Sequence, residues 1–176
     1  MRVSVKGLLF IMVSAFFAFL LGTLLTWQGI TPWLSAIPFA SGLFEGVPPT
    51  DFGVQEDQLR PCPATPNCVV SQNTDASHAI EPLRYQGDRR SAQATLVKIL
   101  GVVPRTQIVE QQDGYIRAES RSRLLGFVDD LEFYLPADQP VIQVRSASRL
   151  GESDLGVNRR RVEQIRLALQ DLETQP

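Results

Sequence analysis

Tyr115-Ile-Arg-Ala-Glu-Ser-Arg-Ser-Arg-Leu-Leu-Gly-Phe-Val-Asp-Asp-Leu-Glu-Phe-Tyr-Leu135, followed by Val141-Ile-Gln-Val-Arg-Ser-Ala-Ser-Arg149, is the stretch that decides the architecture. Successive side chains of a strand point to opposite faces of a sheet. Over Phe127–Leu135, Leu131, Phe133 and Leu135 therefore share one face, and Asp130, Glu132 and Tyr134 share the other. Ile142 and Val144 continue the apolar face in the next strand, while Gln143, Arg145 and Arg149 continue the polar one. Keeping the apolar faces together sets Arg145 opposite Glu132 or Asp130, because a one-residue slip would turn every apolar side chain to the wrong side. Adjacent Asp129 and Asp130 point to opposite faces unless a bulge near Gly126 intervenes.

Working upstream, Thr106–Gln111 and Tyr115–Ser122 flank Asp113-Gly114, a strong short hairpin signal, and a two-residue turn there sets Glu110 opposite Arg117. Before it, Asp88 or Ser91 caps a helix running to about Leu100, with Leu96, Ile99, Leu100 and Val103 as its apolar side. Gly101 is expected to end that helix and Pro104 to prevent its resumption. Ile80–Tyr85 reads as a short extended entry. Downstream, a helix from about Leu155 or Arg159 to Leu172 buries Val162, Ile165, Leu169 and Leu172. Asp154 or Asn158 is its N-cap. Three arginines in its first turn oppose the helix dipole. Glu163 offsets part of this through Arg159 and Arg166, leaving Arg161 to find a partner elsewhere. The order helix, four strands, helix predicts an α+β fold: a four-stranded antiparallel sheet with two helices on one face, preceded by an N-terminal transmembrane helix.

That membrane segment is Gly7–Trp27, an uncharged run preceded by Arg2 and Lys6. As a helix it is roughly 30 Å long, the thickness of a hydrocarbon core. The alternative is a cleaved secretory signal, whose apolar part is usually only about 7–15 residues. The run is longer, and no small-x-small cleavage site follows, since Leu34 precedes Ala36 by two and Pro38 precedes Ala40 by two. After Lys6 the next Lys or Arg is Arg60, so positive-inside logic keeps residues 1–6 as a cytoplasmic flank and carries the body across. Residues 28–60 read as an acidic linker, with Glu45–Asp57 a solvated tether, and 61–176 as one globular domain. The formal net charge is −2; without Arg2 and Lys6 the remainder stands at about −4. An acidic body argues against nucleic acid as a partner.

The only cysteines lie in Cys62-Pro-Ala-Thr-Pro-Asn-Cys68. In an exported compartment a disulfide closing this loop is the first expectation. Redox thiols use tighter spacing, and a metal site recruiting Cys62, Cys68 and His78, the single histidine, lacks a visible fourth ligand. No metal and no cofactor is called for. His78 itself reads as a surface or hydrogen-bonded loop residue.

The polar face gathers arginines and acids, and two readings follow. One is a charge-crossed lattice. The other is a binding site for an anionic small ligand, a headgroup, carboxylate or phosphate, in which Arg121, Asp130, Arg145, Arg149, Asp154 and Arg161 take part through bidentate guanidinium contacts. The second requires an open groove with at least two guanidiniums lacking acidic partners. Ser120, Ser122, Ser146 and Ser148 add hydroxyls, most of them on the inner or edge side. Catalytic residues are not assignable: there is no nucleophile elbow, no metalloprotease helix and no phosphate-cradling glycine loop.

Cys-Pro-x-x-Pro-Asn-Cys-Val at 62–69, Ser-Arg-x-x-Gly-Phe-Val-Asp-Asp-x-Glu-Phe at 122–133, Arg-Ser-Ala-Ser-Arg at 145–149 and Ser-Asp-Leu-Gly-Val-Asn-Arg-x-Arg-Val-Glu at 153–163 carry a resemblance. From about Cys62 to Leu169 the chain resembles the family called domain of unknown function 1499. Its members look like small exported or membrane-attached proteins of bacteria, cyanobacteria included, and of plant plastids. The resemblance implies a single domain in the periplasm or thylakoid lumen, and it supplies no reaction. The leading expectation is a membrane-anchored extracytoplasmic binding or assembly module that uses the arginine-rich sheet face. Its partners would be the membrane, through the N-terminal helix, and an anionic ligand or a membrane protein. The alternatives are a hydrolase-like or redox enzyme using Asp129, Asp130, Asp154 or the cysteine pair, and a structural subunit of a membrane complex.

Overall fold

Seven residues from Thr106 to Gln112 and seven from Tyr115 to Arg121 form the hairpin that Asp113-Gly114 announces, with Glu110 opposite Arg117. The computed structural model describes residues 44–72 and 75–174. The span Gly7–Trp27 and its flank lie outside the described residues, and among these no helix is long and apolar enough to cross a membrane. In chain order the elements are β1 (Val54–Gln55), β2 (Gln58–Leu59), β3 (Cys68–Val70), β4 (Leu83–Arg84), α1 (Arg89–Val102), β5 (Thr106–Gln112), β6 (Tyr115–Arg121), β7 (Val128–Tyr134), β8 (Val141–Ser148) and α2 (Val157–Thr174).

The main sheet has six strands rather than the expected four. β5 to β8 form the antiparallel meander the alternation predicts, and Glu132 pairs with Arg145 across β7 and β8. The two additional strands are β3 and β4, which share the free edge of β8: β3 lies against Arg145–Ala147 and β4 against Val141 and Ile142. At three and two residues these strands are too short to show any periodicity. What places them is the edge of β8, whose unpaired N–H and C=O groups need partners once its flanks are buried.

Both helices cover one face. Leu96, Ile99 and Leu100 of α1 and Val162, Ile165 and Leu169 of α2 pack with Ile116, Ala118, Leu131, Phe133, Ile142 and Val144 in a single core. Asp88 caps α1, its carboxylate accepting from the Ser91 N–H at 2.9 Å. Gly101 does not end α1, which runs one residue further, to Val102. Asp154, not Asn158, caps α2: its carboxylate accepts from the backbone N–H groups of Gly156 and Asn158 at 3.0 and 2.7 Å.

The segment expected to be a solvated tether is instead seated on the sheet. Phe44 packs on Phe127 with ring centroids 5.0 Å apart. Phe52 lies under the Arg117 guanidinium at 4.5 Å, and the Gly53 N–H donates to Glu132 at 2.9 Å. β1 and β2 pair as a small separate hairpin, and Leu59 is buried against Val70 and Tyr115. Glu45 and Asp57 also act here as acceptors, for Arg121 and for the Tyr134 hydroxyl. Composition missed this because the acids compensate sheet arginines, a pairing that exists only after folding.

Candidate functional site

On the face away from the helices, every arginine of the proposed anion site has an acidic partner. Arg149 is nearly enclosed and donates to both oxygens of Asp130, from Nε at 2.8 Å and Nη2 at 2.7 Å, with a further contact to Glu119 at 2.5 Å. Arg117 lies within ion-pair distance of Glu110, Glu119 and Asp130. Arg121, the most exposed of them, pairs with Glu45 and Glu119. The groove with two unpartnered guanidiniums is therefore absent from the described residues, and the face is the charge-crossed lattice. Alternation brings equal numbers of both signs to one surface at near-contact spacing, and Coulomb attraction in a partly dry site pairs them. The bidentate Asp130 pairing holds the Arg149 guanidinium more firmly protonated than usual.

Arg145 is the exception within the lattice. It is 1% exposed, and its one contact is Nη1 to Glu132 at 3.4 Å; Nε and Nη2 have no hydrogen-bond acceptor among the described residues. Burial, then the nearby positive charge of Arg60, makes its protonated form less favourable than usual. Glu132 also accepts from the Tyr115 hydroxyl at 2.9 Å, and burial beside that carboxylate raises the tyrosine well above its ordinary range. This group lies under the β1–β2 hairpin and is closed to solvent.

On the helix face the arginine without a local partner finds one. Arg161 donates through Nη2 to Asp129 at 2.6 Å and through Nη1 to Asn158 at 3.0 Å. The other Asp129 oxygen accepts from the Ser148 hydroxyl at 2.5 Å. Asn158, fully buried, accepts from Ser146 and donates to Ser148 and to the Asn67 carbonyl. Asn67 and Asn158 are central to this network, and neither was singled out as a site residue. The available signal was that both stand inside the quoted motifs beside residues that were. Arg159 does not pair with Glu163 but donates to the carbonyls of Ala79 and Ser77; Arg166 does pair with Glu163.

Beside this network lies a pocket of about 220 Å³. Asp129, Ser148, Ser153 and Asp154 supply its polar wall; Phe127, Leu150, Leu155 and Val157 supply much of the rest. Of the six predicted ligand residues, only Asp154 lines it. Arg161 reaches its wall through Asp129, and Arg121, Asp130, Arg145 and Arg149 lie across the sheet. Chemically the pocket offers hydroxyls and an apolar rim. Both carboxylates are already engaged, Asp129 by Ser148 and Arg161 and Asp154 by the helix end.

Cys62 and Cys68 form a disulfide, so neither thiol is available for redox attack or metal ligation in this state. His78 is buried, with Nδ1 3.0 Å from the Cys68 carbonyl, as a hydrogen-bonded loop residue. Among the described residues no group of His, Cys, Asp and Glu is arranged to hold a metal ion.

A family model described as "Protein of unknown function (DUF1499)" matches residues 58–169, the span from β2 to the body of α2. Neither a curated protein nor a solved structure matches the chain.

Proposed function

Since the chain belongs to this family of unknown function, DUF1499, we propose from its own geometry that it is a membrane-anchored extracytoplasmic binding or assembly module. Its recognition site in this reading is the pocket beside the start of α2, not the arginine face. One observation carries the choice: the arginine face is neutralised and covered, while the Asp129–Ser148–Ser153–Asp154 pocket opens at the surface with an apolar rim. A partly apolar pocket with a few convergent polar groups is the usual form of a binding site. The anchor rests on the uncharged run Gly7–Trp27 behind Arg2 and Lys6, and the disulfide fits an oxidising compartment, periplasm or thylakoid lumen.

The hydrolase-like alternative retains one supporting observation, that Asp129 and Asp154 line the same pocket. Against it, each carboxylate is held by two donors, Asp129 by the Ser148 hydroxyl and Arg161, and Asp154 by the backbone N–H groups of Gly156 and Asn158. The redox alternative would need the disulfide to open.

The test is site-specific photo-cross-linking in native membranes, using the full chain with a photoreactive side chain at Ser153 or at Ala137 on the opposite end. A defined adduct from position 153 alone is expected. Equal adducts from both positions, or none, remove the pocket as the recognition site. Release of the full chain by an alkaline carbonate wash removes the anchor.

A further inference from the structure

Of the eleven exposed large apolar side chains among the described residues, Val109 lies along β5 and Leu167 and Leu172 along α2, but six others gather in one place. Val102, Leu124, Leu125, Leu150, Leu155 and Val157 are all exposed, Leu124 at 76% and Leu155 at 84%. The topology brings them to one end of the sandwich. α1 finishes at Val102 just before β5 opens opposite Ser120. The β6–β7 loop carries Leu124 and Leu125. β8 ends opposite Asp129, and the following loop carries Leu150 and Leu155 into α2. Leu155 has φ 53, a backbone region costly for a bulky side chain. A concentration of this kind marks an interaction surface rather than ordinary surface wear.

Two observations identify the occupant. The described chain enters at this same end: Phe44 packs on Phe127, Glu45 pairs with Arg121, and Gly46 lies so close to Leu150 that a Cβ there would stand 2.9 Å from its Cγ. The uncharged run ends at Trp27, so the connection to Phe44 reaches at most roughly 60 Å even when fully extended. Charge is polarised along the same axis. Arg105, Arg123 and Arg160 flank the leucines, none of them in an ion pair among the described residues, while Arg121 is taken up by Glu45 and Glu119 and the acids Glu152 and Asp154 stand beside them. The far end carries Asp88, Asp113, Asp138, Asp171 and Glu173 against Arg84, Arg89 and Arg90.

We infer that this leucine rim docks on the bilayer surface, with its leucines in the headgroup–acyl boundary and Arg105, Arg123 and Arg160 on anionic headgroups, as interfacial proteins combine the two forces. The inference rests on the membrane-anchored reading above and names the partner of the pocket's rim. The pocket mouth would then open towards lipid, so whatever the pocket binds would arrive from the interface.

The experiment reconstitutes the full chain in phosphatidylcholine vesicles with a minority of phosphatidylglycerol. Leu155→Cys, or Ala137→Cys at the far end, carries an environment-sensitive fluorophore; the bonded native cysteines leave the introduced thiol as the labelled one. The expected result is a blue-shifted signal at position 155, quenched several-fold more by brominated lipid than at 137. Adding Leu124→Asp, an exposed change checked by unaltered far-ultraviolet circular dichroism, should lower that quenching towards the level at 137. Equal quenching at both positions in vesicle-bound protein overturns the inference and leaves the anchored module standing. A blue shift without lipid quenching also overturns it, since protein then covers the rim. Loss of the full chain from the vesicles defeats the anchored reading itself.

Discussion

Asp129 and Asp130 are neighbours in the chain, yet they hold arginines on opposite faces of the sheet. Asp129 accepts from Arg161 of α2 at 2.6 Å, and Asp130 accepts from Arg149 at 2.7 and 2.8 Å. The β6–β7 register runs without interruption through both residues, so no bulge turns them to a common side. One network fastens the start of α2 to the sheet, and the other ties the lattice together.

Double-mutant cycles should separate the two networks. Asp129→Asn with Arg161→Met is expected to show a coupling of about 1–3 kcal/mol in denaturant unfolding, as for contacting charged pairs. Asp129→Asn with Arg149→Met should be additive within about 0.5 kcal/mol. Comparable coupling in both cycles would mean the faces communicate through the backbone.

Glu132 and Arg145 are almost wholly buried, and the arginine's hydrogen bonding is incomplete. Replacing Glu132 with Leu alone should cost about 3–5 kcal/mol, because it strands a buried charge. The double change Glu132→Leu with Arg145→Met should recover most of that loss, since the pair's desolvation cost disappears with it. Urea titration of both variants checks the expectation, and failure to recover would show that the pair supplies more than charge balance.

The Cys62–Cys68 bridge closes a small loop immediately before β3. Replacing both cysteines with Ser should lower stability by about 2 kcal/mol through loop entropy. The lost constraint lies next to the segment seated on the lattice face, so hydrogen exchange should rise first in β1 and β2. Uniformly faster exchange across β5–β8 would contradict that local effect.

Asp88 accepts from the Ser91 backbone N–H and hydroxyl, and these bonds hold its carboxyl below the ordinary Asp value. A depressed folded pKa contributes stability above the unfolded value, near pH 4, and that contribution is lost as pH falls through the folded one. Acidification should therefore loosen the first turn of α1, and Asp88→Ala should remove this pH dependence. Amide exchange at Ser91 and Ala92 as a function of pH measures it; an unchanged profile in the variant would assign the acid sensitivity elsewhere.

Much of the scaffold was legible residue by residue. Asp113-Gly114 set the hairpin, and the alternation of Leu131, Phe133, Ile142 and Val144 set which faces meet and that Glu132 faces Arg145. Val162, Ile165 and Leu169 marked the buried stripe of α2, but Leu172, expected to continue it, is exposed. Arg161, which has no acid three or four residues away along the helix, finds its partner in Asp129. β3 and β4 were not legible, because strands of three and two residues carry no period. The arginine site failed for a different reason. Alternation shows which charges share a face, but not whether each has an opposite charge within reach.

The chain's own residues thus determined the local elements, the sidedness of its strands and the family to which it belongs. These depend on spacing along the backbone, and covalent geometry fixes what such spacing means. Only the tertiary structure decided that the arginines of the sheet face already hold acidic partners, that Glu45 and Phe52 lie over the sheet, and that apolar side chains from three separate segments meet at one end. Those outcomes depend on distances between residues remote in sequence, and such distances are set when the sheet closes its core against both helices.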